Sequence, residues 1–128
     1  MEWTTLVDVA HDADINVGTL NTDVYPLTIQ LKDYAGNNLK VPAAIHAYVA
    51  SDADGLDISD CSTNLHTTGG AGSGDGAVII LLTMVHYVLI SEADGSIEVD
   101  FEEDGTTDRY FVLVMPDGRL VVSGVLTY

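Results

Sequence analysis

"AVIILLTMVHYVLI", residues 77–90, is the most apolar run in the chain, and whether it is helix or strand decides the fold. Its length would allow a buried helix. Its content of Val, Ile, Thr and Tyr favours extended backbone, because branched and aromatic side chains pack well on a pleated surface. Turn-forming residues bound it on both sides: "GGAGSGDG" (69–76) before it and "EADG" (92–95) after it. We therefore read the run as two strands broken near Met84 and Val85.

Working outward, turn signals recur at short intervals: "DYAGNN" (33–38), "SDADG" (51–55), "EEDG" (102–105) and "PDG" (116–118). Gly and Asn accept positive φ there, and Asp bonds the backbone just ahead of it. Between the turns lie segments of strand composition: "YPLTIQLK" (25–32), "AAIHAYVA" (43–50), "SIEVDF" (96–101), "RYFVLVM" (109–115) and "RLVVSGVLTY" (119–128). Leu27, Ile29 and Leu31 alternate with Thr28, Gln30 and Lys32, the period of a half-buried strand. No segment is long enough for a crossover helix, so the expected fold is an all-β antiparallel sandwich of about seven strands.

The chain has 128 residues, one domain's worth, and 47% of them are apolar, enough to bury a core despite a net charge of -16. Twenty acidic residues against Lys32, Lys40, Arg109 and Arg119 would repel a nucleic-acid backbone and an anionic membrane, so neither is an expected partner. The apolar run is too short to span a bilayer as a helix, and "MEWTTLVDVAHDAD" lacks the basic start and apolar core of a signal peptide. Cys61 is the single cysteine, which precludes an internal disulfide and reads as a structural thiol rather than a nucleophile.

Each candidate for chemistry fails on spacing. The glycine stretch has no lysine after Gly76 for a phosphate loop, and Asp75 falls one residue late for a calcium-binding glycine repeat, so it reads as a flexible loop. Asp52, Asp54, Asp57 and Asp60 in "SDADGLDISD" are oxygen ligands of the type calcium takes, but an EF-hand's spacing is missing and a hairpin turn accounts for them. His11, His46, His66 and His86 form no H-x-H or H-x-x-x-H pair, so any zinc site would have to be assembled wholly by the fold. No G-x-S-x-G elbow accompanies the serines. The expectation is no enzyme, no cofactor and no metal.

Residues 1–23 read as an amino-terminal arm ahead of a domain at 24–128. Trp3, Leu6, Val7 and Val9 are its candidate assembly contacts, free either to add a strand at home or to dock on a neighbouring subunit.

From Val24 onward the motifs come in a particular order: "VYPLTIQLKD", "YAGNNL", "AAIHAYVASDADG", a Gly/Ser-rich insertion, "VLISEADGSIEVDF" and "RYFVLVMPDGRLVVSGVLTY". This order resembles small immunoglobulin-like structural proteins of tailed bacteriophage virions. The resemblance implies an immunoglobulin-like β-sandwich in the virion, assembled in the host cytoplasm. The implied role is a non-enzymatic decoration or cement protein on the capsid, or a head-fibre base. Its partners would be the phage major capsid protein or neighbouring virion subunits, with the chain itself a homo-oligomer. The alternative expectation, from the aspartate cluster, is a calcium-dependent adhesion or carbohydrate-binding sandwich.

Overall fold

A computed structural model describes residues 9–68 and 74–128, leaving residues 1–8 and 69–73 outside the described part. The described residues are all-β. The strands are β1 (Asp12–Val17), β2 (Val24–Lys32), β3 (Ala44–Ala50), β4 (His66–Thr67), β5 (Ala77–Leu82), β6 (His86–Ile90), β7 (Ser96–Glu102), β8 (Asp108–Val114), β9 (Leu120–Val122) and β10 (Leu126–Thr127). Every pairing is antiparallel, and the strands form two sheets. Sheet one has the order β1-β2-β7-β4, and sheet two the order β10-β8-β3-β6-β5 with β9 beside β8.

Seven of the strands have five residues or more, and the other three are fragments of two or three residues. The apolar run is two strands, as its composition suggests. The break is a loop over Thr83 to Val85 in which Met84 takes φ 65, the left-handed conformation that closes a three-residue hairpin. Asn64 Oδ1 accepts from Met84 N at 2.7 Å and holds the loop in place. The closing segment, read as one strand, is cut in two. From Arg109 to Val112 is three steps while their partners Leu126 and Val122 are four apart, so one extra residue bulges at this edge. Ser123 bridges the bulge, its hydroxyl accepting from Phe111 N at 2.9 Å and donating to Gly124 O at 2.8 Å.

The described part of the arm, from Val9, belongs to the domain. β1 pairs with β2 along its whole length, and Ala10 and Ala13 are buried in the core. The signal for it lies in "DADINV", where Ala13, Ile15 and Val17 alternate with Asp12, Asp14 and Asn16. The pairing at home covers Asp12–Val17; of the four candidate contacts, Val9 precedes the strand and is exposed.

The core lies between the sheets. Leu27, Ile29 and Leu31 of β2 and Ile97, Val99 and Phe101 of β7 face Ile45, Ala47 and Val49 of β3, Tyr87 and Leu89 of β6, and Phe111 and Leu113 of β8. Phe101 and Phe111 meet edge to face across the gap, ring centres 6.0 Å apart. Each large side chain buried here contributes about 1.5–3 kcal/mol. At the rim, Arg109 Nε lies 3.7 Å from Glu103 Oε2, both side chains mostly buried, and the same Nε donates to Asp60 O at 2.8 Å.

Candidate docking face

Strand alternation gives each sheet an inner and an outer face, and the two outer faces differ sharply. On sheet one, the register aligns Asn16, Thr28 and Glu98 in one row and Asp14, Gln30 and Ser96 in the next. Asp12, Asp100 and Glu102 share that face. Lys32 pairs with Asp14 at 2.8 Å, which raises the lysine above its ordinary pKa. Glu98 is pushed above the usual carboxylate value by its hydrogen bond with Asp75 and by that neighbour's charge. This is a solvated, acidic surface.

The outer face of sheet two is built of different residues. One row runs Ile79, Val88, His46, Val114 and Leu120 across five strands; the next runs Leu82, His86, Tyr48, Val112 and Val122; a third begins Ala77, Ile90, Ala44. None of these residues is an acid or a lysine or arginine. The loop over residues 51–59 folds onto one end of the face. Tyr48 donates its hydroxyl to Gly55 O; Gly55 takes φ +73, which favours glycine, and a Cβ there would press on Val112 and Val122 at 3.1–3.3 Å, so the loop lies close to the sheet. Between this loop and the tip of the β5–β6 hairpin lies an apolar groove of about 160 Å³ lined by Tyr48, Ile58, Leu82, Val85 and His86.

β5 forms the edge of this face, and nothing described pairs with its free side. Ile79, Ile80, Leu81 and Leu82 are 46%, 47%, 51% and 57% exposed, pointing to both faces of the sheet. Free strand edges invite pairing, and proteins usually guard them with charge, shortness or a bulge. The other three edges are guarded: β1 carries Asp12 and Asp14, β4 has two residues, and the β9–β10 edge is broken. β5 has no charge and no proline, and its one irregularity, between Ile80 and Leu82, comes only at its end. Gly76 starts it with φ +90, where a Cβ would stand 2.5 Å from Ile90 O.

The residues singled out for chemistry are placed as follows. Trp3, Leu6 and Val7 lie outside the described residues. Val9 is exposed beside a hollow shared with Ala10, His11, Tyr34, Pro116 and Asp117. Asp52 and Asp57 are occupied by their own loop: Asp52 Oδ1 accepts from Leu56 N and Asp57 N at 3.0 Å each, and Asp57 Oδ2 accepts from Ser51 Oγ at 2.7 Å. Among the described residues, no group of three or more His, Cys, Asp or Glu is gathered to hold a metal ion. Cys61 is buried, donates to Thr63 O at 2.9 Å and has its pKa pushed up by that burial, which keeps it a thiol. Two of the scattered histidines do come together. His46 and His86 meet on the outer face of sheet two, with 3.2 Å between ring nitrogens.

Sequence reasoning found the strands of this face but missed the face itself. The available signal was that the residues alternating with Ile45, Ala47 and Val49 in β3, and with Tyr87 and Leu89 in β6, are not charged, unlike their counterparts in β7. Comparison with known proteins adds no relative: no family model, no curated protein and no solved structure matches the chain.

Proposed function

We propose that the chain is a non-enzymatic structural subunit of a virus particle, an immunoglobulin-like decoration or cement protein that seats sheet two on the outside of a phage capsid. The observation that carries this reading is the division of the surface: strands whose outward residues include no acid, lysine or arginine, ending in the bare β5 edge, on one side, and the acids of β1 and β7 on the other. A module of this build docks by one face and shows water the other. The occupant of the docking face is an uncharged, strand-presenting patch of a neighbouring shell subunit, since a net charge of -16 leaves few other places where apolar contact escapes repulsion. Many symmetry-related copies would multiply a modest affinity per site. The order of turns and strands over residues 24–128 supports the assignment to virions.

Mass spectrometry of purified particles from the virus that encodes the chain tests the reading. Multiple copies per particle are expected, lost on washing when β5 carries charge. Particles with no detectable copies would overturn it.

A further inference from the structure

His46 and His86 are forty residues apart in the chain and belong to adjacent strands. In the β3–β6 register His46 faces Val88 and Tyr48 faces His86, so the two histidines are diagonal neighbours on the outer face. Diagonal positions lie about 7–8 Å apart at the backbone, a gap two imidazoles can close. Here they close it: His46 Nδ1 and His86 Nε2 are 3.2 Å apart, with ring centres 5.3 Å apart and ring planes inclined by 36°.

That separation matches a shared metal ion. Two nitrogens each about 2.0–2.1 Å from one ion are about 3.3–3.4 Å apart at the tetrahedral angle, and about 2.8–3.0 Å apart at a right angle. The observed spacing falls between the two. Each neutral imidazole carries one proton, which can reside on the nitrogen facing away, His46 Nε2 or His86 Nδ1. Both facing nitrogens then present lone pairs, so the ion replaces a shared hydrogen bond and the neutral rings release no net proton.

We propose that His46 and His86 form a two-imidazole chelate for a divalent transition-metal ion of the zinc, nickel or copper(II) class, with water in the remaining positions. Imidazole suits these ions, whereas calcium and magnesium want oxygen, and the neighbours along the two rows are Val88, Val114, Tyr48 and Leu82 rather than carboxylates. With two protein ligands the ion is exchangeable, and it clips β3 to β6, the strand that carries β5. The clip exists only in the folded chain, so binding raises the melting temperature. The inference rests on the two side chains alone, concerns the undocked chain, in which the outer face of sheet two is open to water, and stands whether or not the chain belongs to a virion.

Calorimetric titration of the full chain with zinc chloride at neutral pH tests it, alongside His46→Gln, His86→Gln and His66→Gln. One site per chain is expected. Outer-shell changes alone cost 10–100-fold in metal affinity, so loss of either ligand should weaken zinc binding by at least about tenfold, while His66→Gln binds as the parent does. Both rings point outward, and melting curves without zinc should confirm that the variants fold. Absence of binding at about 1 mM zinc overturns the proposal, because such a site could not raise the melting temperature at practical concentrations. Isotherms unchanged by both His46→Gln and His86→Gln overturn it too, and would assign the ion to other groups.

Discussion

Placing charge on β5 should separate docking from folding. Ile79 and Ile80 point to opposite faces of sheet two at its edge, and each leaves nearly half its surface open, 46% and 47%. Fully burying such a side chain gains about 1.5–3 kcal/mol, so a partner covering the open half gains about 0.8–1.5 kcal/mol from each. A partner strand laid along the β5 edge flanks both faces, so over Ile79, Ile80, Leu81 and Leu82 that comes to about 3–6 kcal/mol, half of it from the isoleucines. The double variant Ile79→Glu, Ile80→Glu removes that half and asks the interface to desolvate two carboxylates with no counter-charge, which costs several kcal/mol more. Docking should weaken by at least about 3 kcal/mol, more than a hundredfold. Within the isolated chain the same changes forfeit only packing on one side of an edge strand, about 1–2 kcal/mol in all. A companion variant, Ile79→Thr, Ile80→Thr, loses comparable packing without adding charge and should dock at an intermediate level. Co-sedimentation with particles reads docking, and circular-dichroism melting reads stability. If the glutamate variant sediments with particles as fully as the parent, the edge is not the docking element. A stability loss well above about 3 kcal/mol would place β5 in the domain's own core and refute the reasoning from the other side.

Gly76→Ala should cost more than Gly118→Ala although both glycines have φ +90: the first Cβ meets Ile90 O at 2.5 Å and the second meets nothing within 4 Å, so strain of about 1–3 kcal/mol is shared while the backbone clash is not. Equal melting temperatures would contradict this account of how β5 starts. Arg109→Met strands the mostly buried Glu103 carboxylate and should cost about 3–5 kcal/mol, part of it regained in the double variant Arg109→Met, Glu103→Gln; additive losses in that cycle would show that the pair is not coupled. Alkaline pH should destabilise the fold. Burial raises Cys61, Tyr87 and Tyr128 above their ordinary values of 9.0 for the thiol and 10.0 for the phenols. A raised folded value means the stabilisation is whole below the unfolded value and is lost as pH climbs past it, so the melting temperature should fall from about pH 9 upward. A melting temperature flat to about pH 11 would rule that out.

What the sequence determined by itself was local. Asp33, Asp52, Asp94 and Asp117 each accept from backbone N–H groups within five residues ahead, which is why aspartate and glycine marked the turns so plainly. The alternation in β2 and β7 likewise announced half-buried strands, and the branched and aromatic content of the apolar run, with turn residues on both sides, pointed to two strands broken near Met84. "DADINV" carried the same alternation, but its acids made it look like part of a solvated arm. The candidate site was beyond such reading. Whether an apolar strand residue faces the core or the outside depends on which sheet covers it, and a one-residue change of register would exchange the two faces. Ile79 and Leu82 belong to the most apolar run in the chain, yet they are exposed because β5 ends its sheet and, among the described residues, no strand pairs with its free side. His46 and His86 looked unrelated for the same reason: the pairing of β3 with β6 alone brings their nitrogens together, and that register is set by core side chains on the opposite face of the same two strands.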